Sequence, residues 1–235
     1  MSPRARSALW LAALWSAASL AGPAQAYVPP AKRVAVAAAK ANRAAKRNQA
    51  LRFDVALLRG EAAEPEATGT LLSAPDGRAR LELRGAGGTL RQLRVGARLD
   101  ATRDGRAVAR GPILLPPLSL LQAASGGALQ KSLAALGASG GLIELGHDGA
   151  FDAYVLGGRG GSALWVDMET LFPARIDMAG GAIVRFGAPE AFAGILWPAW
   201  MTIDRGEEPT VRIEFRGVSA TATGPDTFRR DWLLP

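Results

Sequence analysis

The chain has 235 residues, a formal net charge of +7 and no cysteine. Its length, with 49% of residues hydrophobic, suits one domain with a full core. The missing cysteines exclude disulfides, thiolate metal sites and cysteine nucleophiles.

The amino terminus reads as a cleavable secretory signal. Arg4 and Arg6 precede an apolar run over residues 8–20, and Ala24-Gln25-Ala26 supplies a small-x-small cleavage pattern before Tyr27. The other reading is a membrane anchor, but the run is shorter than the roughly 20 residues a spanning helix needs and breaks at Gly22-Pro23. Residues 1–26 are expected as signal peptide and residues 27–235 as one domain. With no cysteine at the cleavage point for lipid attachment, that domain is expected free and soluble in the periplasm. Without Arg4 and Arg6 the charge falls to +5. For an exported protein this balance points to anionic lipid surfaces or acidic polymers rather than nucleic acid.

After Pro29-Pro30, residues 31–49 are nearly half alanine and lack glycine and proline, which predicts a helix. Lys32, Arg33, Lys40, Arg43, Lys46 and Arg47 make it basic. Two readings stand: a face that docks on anionic membrane, or a solvated face opposite a small alanine-valine face. From Leu51 the period becomes two. Phe53, Val55 and Leu57 alternate with Arg52, Asp54 and Ala56, and Leu81 and Leu83 with Arg80, Glu82 and Arg84. Pro75-Asp76-Gly77, Asp104-Gly105 and Asp148-Gly149 are turn signals between such strands, so a meander of antiparallel hairpins is expected.

Pro112, Pro116 and Pro117 then introduce Leu118, Leu120, Leu121, Leu129, Leu133 and Leu136, with breaks at Gly126-Gly127 and Gly137. This predicts two short apolar helices, serving either as a moving cover hinged at its glycine-rich flanks or as core helices. Strands are expected to resume at Leu142, most clearly where Val211, Ile213 and Phe215 alternate with Arg212, Glu214 and Arg216. There is no regular βαβ alternation and no internal repeat.

Catalytic signals are weak. His147 stands beside Asp148-Gly149 and reads as a surface turn residue, and Gly160-Gly161-Ser162 lacks the trailing glycine of a nucleophile elbow. The glycine cluster over residues 157–161 lies between two strands and has no lysine, so it reads as a wide turn rather than a phosphate loop. Asp152, Asp167, Glu169 and Asp204 remain the carboxylates from which a hydrolase would need to build an acid-base pair.

The order of features in the last 90 residues resembles the lipoprotein-carrier superfamily typified by the LolA and LolB carriers, particularly its divergent outer-membrane lipoprotein-sorting branch. The matching residues are Leu164-Trp165-Val166-Asp167, Leu171-Phe172-Pro173-Ala174-Arg175-Ile176, Ile183-Val184-Arg185-Phe186 and Gly194-Ile195-Leu196-Trp197-Pro198. Ile203, the strand over residues 211–215 and Thr227-Phe228 complete the series. The resemblance implies an α+β fold: an incomplete, strongly curved antiparallel β-barrel wrapped around helices, with acyl chains held between an apolar concave face and a helical lid. On that plan Leu118, Leu120 and Leu121 would cover the cavity, and Trp165, Phe186, Trp200, Ile213 and Phe215 would line it. It further implies a periplasmic, non-enzymatic carrier or chaperone of lipid or lipoprotein acyl chains that needs no cofactor or metal and takes its cargo from an inner-membrane exporter. The alternative from a different class is an envelope interaction module that uses its basic helix to dock on anionic membrane or a partner protein.

Overall fold

A computed structural model describes residues 28–41, 49–108, 112–138, 141, 143–158 and 161–234. The expected signal peptide lies outside the described residues, as do Arg43, Lys46, Arg47, Gly140, Leu142, Arg159 and Gly160. No helix among the described residues is long and apolar enough to cross a membrane.

The period-two segments form strands β1 (Ala50–Arg59), β2 (Ala67–Ser73), β3 (Arg78–Gly85), β4 (Gly88–Val95), β5 (Arg98–Arg103) and β6 (Arg106–Ala107), each antiparallel to the next. The turn between β5 and β6 holds Asp104 at φ 48 and Gly105 at φ 75, the pair of left-handed residues that a two-residue hairpin requires. A second meander comprises β7 (Ile143–His147), β8 (Asp152–Gly157), β9 (Ala163–Asp167), β10 (Pro173–Asp177), β11 (Ile183–Phe186), β14 (Trp200–Asp204) and β15 (Val211–Thr221). Between β11 and β14 a separate hairpin, β12 (Pro189–Phe192) with β13 (Ile195–Pro198), leaves the main sheet.

The two meanders join where β1 pairs with β15 along its full length, with a bulge at Asp54/Val55. The result is one sheet of thirteen strands in the order β6-β5-β4-β3-β2-β1-β15-β14-β11-β10-β9-β8-β7. Its edges, β6 and β7, do not meet, so the sheet is an incomplete curved barrel, as the resemblance implies. The chain between those edges carries the leucine-rich insert: a single 3-10 turn over Leu118–Leu120 and helix α2 (Gly126–Ala135).

Helix α1 is described over Ala31–Ala41, and residues 42–48 of the predicted helix lie outside the described residues. Gln49 stands outside it, next to the ladder with β15 that claims the chain from Ala50. Its buried residues Ala31, Val34, Ala35, Ala38 and Ala39 fall at helical spacing, while Lys32, Arg33 and Lys40 are exposed. The insert also departs from expectation, because Gly126-Gly127 opens α2 instead of breaking it. The Ser125 hydroxyl accepts from the Ala128 amide at 3.1 Å and caps the helix. A Cβ at Gly126 would lie 2.6 Å from the Val36 side chain and 2.8 Å from its backbone nitrogen. The glycine therefore sets how closely α2 packs on α1.

The β7–β8 loop is tied to the sheet through Asp148. Arg175 reaches its carboxylate at 3.1 Å and Arg185 at 3.0 Å. Burial opposes ionisation of Asp148, but the hydrogen bonds from Arg185 and Arg175 outweigh it and hold the carboxyl below the usual aspartate range. A carboxyl with a depressed folded pKa contributes stability that is complete above its unfolded value and lost as the pH falls through the folded one. Thermal unfolding followed from pH 7 to pH 2 should therefore show a loss beginning below about pH 4. Asp148→Asn should lose about 1–2 kcal/mol at pH 7 and flatten that acid limb; an unchanged limb would contradict the assignment.

Candidate functional site: the concave face and its leucine cover

Strand alternation places Leu51, Phe53, Val55 and Leu57 of β1, Leu71 of β2 and Leu81 and Leu83 of β3 on one face, with Leu164, Val166, Ile176, Val184, Phe186, Met201, Ile203, Val211, Ile213 and Phe215 of the second meander. These residues share one hydrophobic cluster with Leu114, Leu115, Leu118, Leu120, Leu121, Leu129 and Leu133 of the insert and with α1. Leu118 and Leu120 are 1% exposed and Leu121 is 0% exposed. The insert occupies the concave face. At one end of the sheet, where Leu57, Leu83, Leu90 and Leu114 meet Arg59, Glu66 and Arg103, a partly open pocket of ≈ 40 Å³ remains, room for about one water.

Under the insert the face carries three buried polar side chains, Ser73, Gln92 and Arg94. Ser73, Ala79 and Arg94 form one cross-strand row, and Gln92 is the next inward residue along β4. All three polar side chains hold the insert. The Ser73 hydroxyl donates to Gln122 Oε1 at 2.6 Å, Gln92 Oε1 accepts from the Leu114 amide at 3.0 Å, and Gln92 Nε2 donates to the Pro112 carbonyl. Arg94 Nε donates to the Leu115 carbonyl at 2.8 Å and Nη1 to the Gly96 carbonyl at 3.4 Å. At 3% exposure this arginine has only carbonyl partners among the described residues, and burial pushes its pKa down to about 10. A cation so placed is costly, and the shorter of its two hydrogen bonds anchors the Leu115 backbone of the insert.

Of the residues expected to form the cavity, Leu118, Leu120, Leu121, Phe186, Ile213 and Phe215 are together on this face. Trp165 and Trp200 are corrections. In β9 the inward residues are Leu164 and Val166, and in β14 they are Met201 and Ile203, so the alternation turns both tryptophans outward. There Trp165 donates to Asp177 at 2.8 Å under the Arg175 guanidinium, and Trp200 lies beneath that of Arg212. Sequence reasoning missed Trp197, which is fully buried and stacks with Phe53 and Phe215 at 4.6 and 5.9 Å between centroids; its alternation with the less buried Leu196 was the available signal. It also missed Gln92 and Arg94, for which no sequence signal existed.

The convex face has its own cover. Phe228 and Leu233 pack on Ala50, Leu72, Ala74 and Leu93, while Arg80 and Arg91 stack over Trp232. Two hollows flank this carboxy-terminal segment on the outside. One of ≈ 330 Å³ includes Arg52, Thr70, Arg80 and Thr227, and one of ≈ 530 Å³ includes Leu99, Val108 and Leu233. The remaining chemical candidates serve local structure. His147 ends β7 and meets Asp152 at 2.9 Å; Asp167 accepts from the Glu169 and Thr170 amides, and Asp204 from that of Gly206. Among the described residues no group of three or more His, Cys, Asp or Glu is placed to hold a metal.

No family model matches the sequence, and no curated protein is significantly similar to it. Solved structures show the fold. A LolA superfamily protein from Nitrosomonas europaea aligns with a TM-score of 0.56 and 13% identity over 88% of this chain and 100% of its own. A DUF1329 family protein from Desulfovibrio piger gives 0.54 and 14% over 88% and 100%. An outer membrane lipoprotein-sorting protein domain from Vibrio parahaemolyticus gives 0.50 and 9% over 86% and 99%. The chain has a LolA-like fold.

If the buried polar row anchors the insert, Arg94→Met should release it without unfolding the sheet. Amide hydrogen exchange over residues 114–121 should accelerate by about tenfold or more while β1 and β15 keep their protection. Unchanged exchange in the insert would remove Arg94 from this role.

Proposed function

We propose that this protein is a non-enzymatic periplasmic carrier that holds lipid or lipoprotein acyl chains against the concave face in place of the leucine insert. The observation that carries this reading is the insert itself, an apolar filler anchored by a few polar side chains across an apolar sheet of LolA-like fold. Fully burying a leucine is worth about 1.5–3 kcal/mol, so Leu115, Leu118, Leu120 and Leu121 together contribute on the order of 10 kcal/mol. One acyl chain of roughly 16 carbons offers a similar amount at about 0.8 kcal/mol per methylene, before ordering costs. Insert and acyl chain are thus near-equivalent occupants, and their exchange costs mainly the few hydrogen bonds that anchor the insert, about 1 kcal/mol each. Near balance suits a carrier, which must release what it binds.

In this reading residues 1–26 direct export, residues 27–235 form the lipid-binding domain, and an inner-membrane exporter delivers the cargo. The exposed face of α1 supports docking on an anionic membrane. Lys32, Arg33 and Lys40 carry no ion pair among the described residues, and Val36 beside them is 50% exposed.

Native mass spectrometry of the protein purified from periplasm tests the carrier role. Adducts with the masses of acylated lipids should accompany it, disappear on organic extraction and return when lipid is added back. A bare protein that also refuses added lipid would refute carriage and leave the membrane-docking module.

A further inference from the structure

Trp197 places a hydrogen-bond donor where the described residues offer it no acceptor. Its side chain is 0% exposed, and Nε1 has no hydrogen-bond partner among the described residues. Among them the other buried side-chain atom without one, Arg212 Nε, still has the Glu214 carboxylate at 3.4 Å. The indole stands on β13 against Phe53 of β1 and Phe215 of β15, within the cluster that includes Leu118, Leu120 and Leu121. Phenylalanine would fill an aromatic site of this kind without burying an N–H. An unpaired donor in such surroundings destabilises the closed state, and an acceptor arriving with a ligand would relieve it.

Building on the carrier reading, we propose that the Trp197 indole N–H recognises the neutral carbonyl of an ester- or amide-linked acyl group. The chemistry selects the acceptor. An alkyl ether presents a weaker one, and the carboxylate of a free fatty acid seated at the indole would bring a charge between Phe53 and Phe215 with one neutral donor at that point to receive it. The protein therefore favours acylated lipids over free fatty acids and over ether lipids of equal length.

The test compares binding of dipalmitoyl phosphatidylglycerol and its dihexadecyl ether analogue to the delipidated protein by isothermal titration. The diester should bind about tenfold tighter, equivalent to about 1.4 kcal/mol, and Trp197→Phe should bring the two affinities together by weakening the diester alone. Equal affinities in the wild-type protein would overturn the inference while leaving carriage intact. That is the outcome if the N–H is already satisfied by a trapped water or by the Phe215 ring, which stands at 86° to the indole. A preference that survives in the variant would overturn it as well. Failure of either lipid to bind would instead sink the carrier reading on which it rests. Should the variant not fold, the wild-type comparison decides alone.

Discussion

A wide antiparallel sheet with one apolar face has to bury that face, and the rest of the molecule follows from how it does so. The ladder between β1 and β15 joins the two meanders but leaves β6 and β7 as separate edges. The connection between those edges carries the leucines that fill the concave side, and α1 and α2 complete the cover. Without this cover Leu51, Phe53, Leu81, Ile213 and Phe215 would face water. The core that the sheet's apolar face begins is therefore completed by segments that are not part of the sheet.

That division gives the structure two kinds of cohesion. Within the sheet, strands are held by continuous ladders and matched apolar rows. Between sheet and insert, cohesion is non-directional burial, oriented by the few hydrogen bonds from Ser73, Gln92 and Arg94. Apolar burial discriminates poorly between a leucine side chain and an acyl chain. In the proposed carrier the directional contacts would decide which occupant is seated, and they are few enough for such an exchange to be reversible. The outer face uses different means: ion pairs around Asp148 and arginines stacked on Trp165, Trp200 and Trp232, suited to a surface that stays wet.

Much of this was legible in the sequence. Leu81 with Leu83, and Val211 with Ile213 and Phe215, alternate so regularly that their strands and inward faces follow from period alone. The resemblance and the alternation place Trp165 and Trp200 inward, whereas Leu164 with Val166 and Met201 with Ile203 take the inward positions. Gly126 looked like a helix break because close approach to Val36 is a tertiary fact. In β4, Leu90 and Leu93 lie three apart because one faces the core and the other the carboxy-terminal segment, which obscures the period. Period alone therefore does not place Gln92 and Arg94, and only the path of the insert shows why they point inward.

The most direct test of the account is a crystal structure of the protein loaded with dipalmitoyl phosphatidylglycerol. The account predicts acyl chains lying against Leu81, Phe186, Ile213 and Phe215, with Leu118, Leu120 and Leu121 moved off the sheet. Chains bound on the outer face, with those three leucines still seated in the interior, would contradict it.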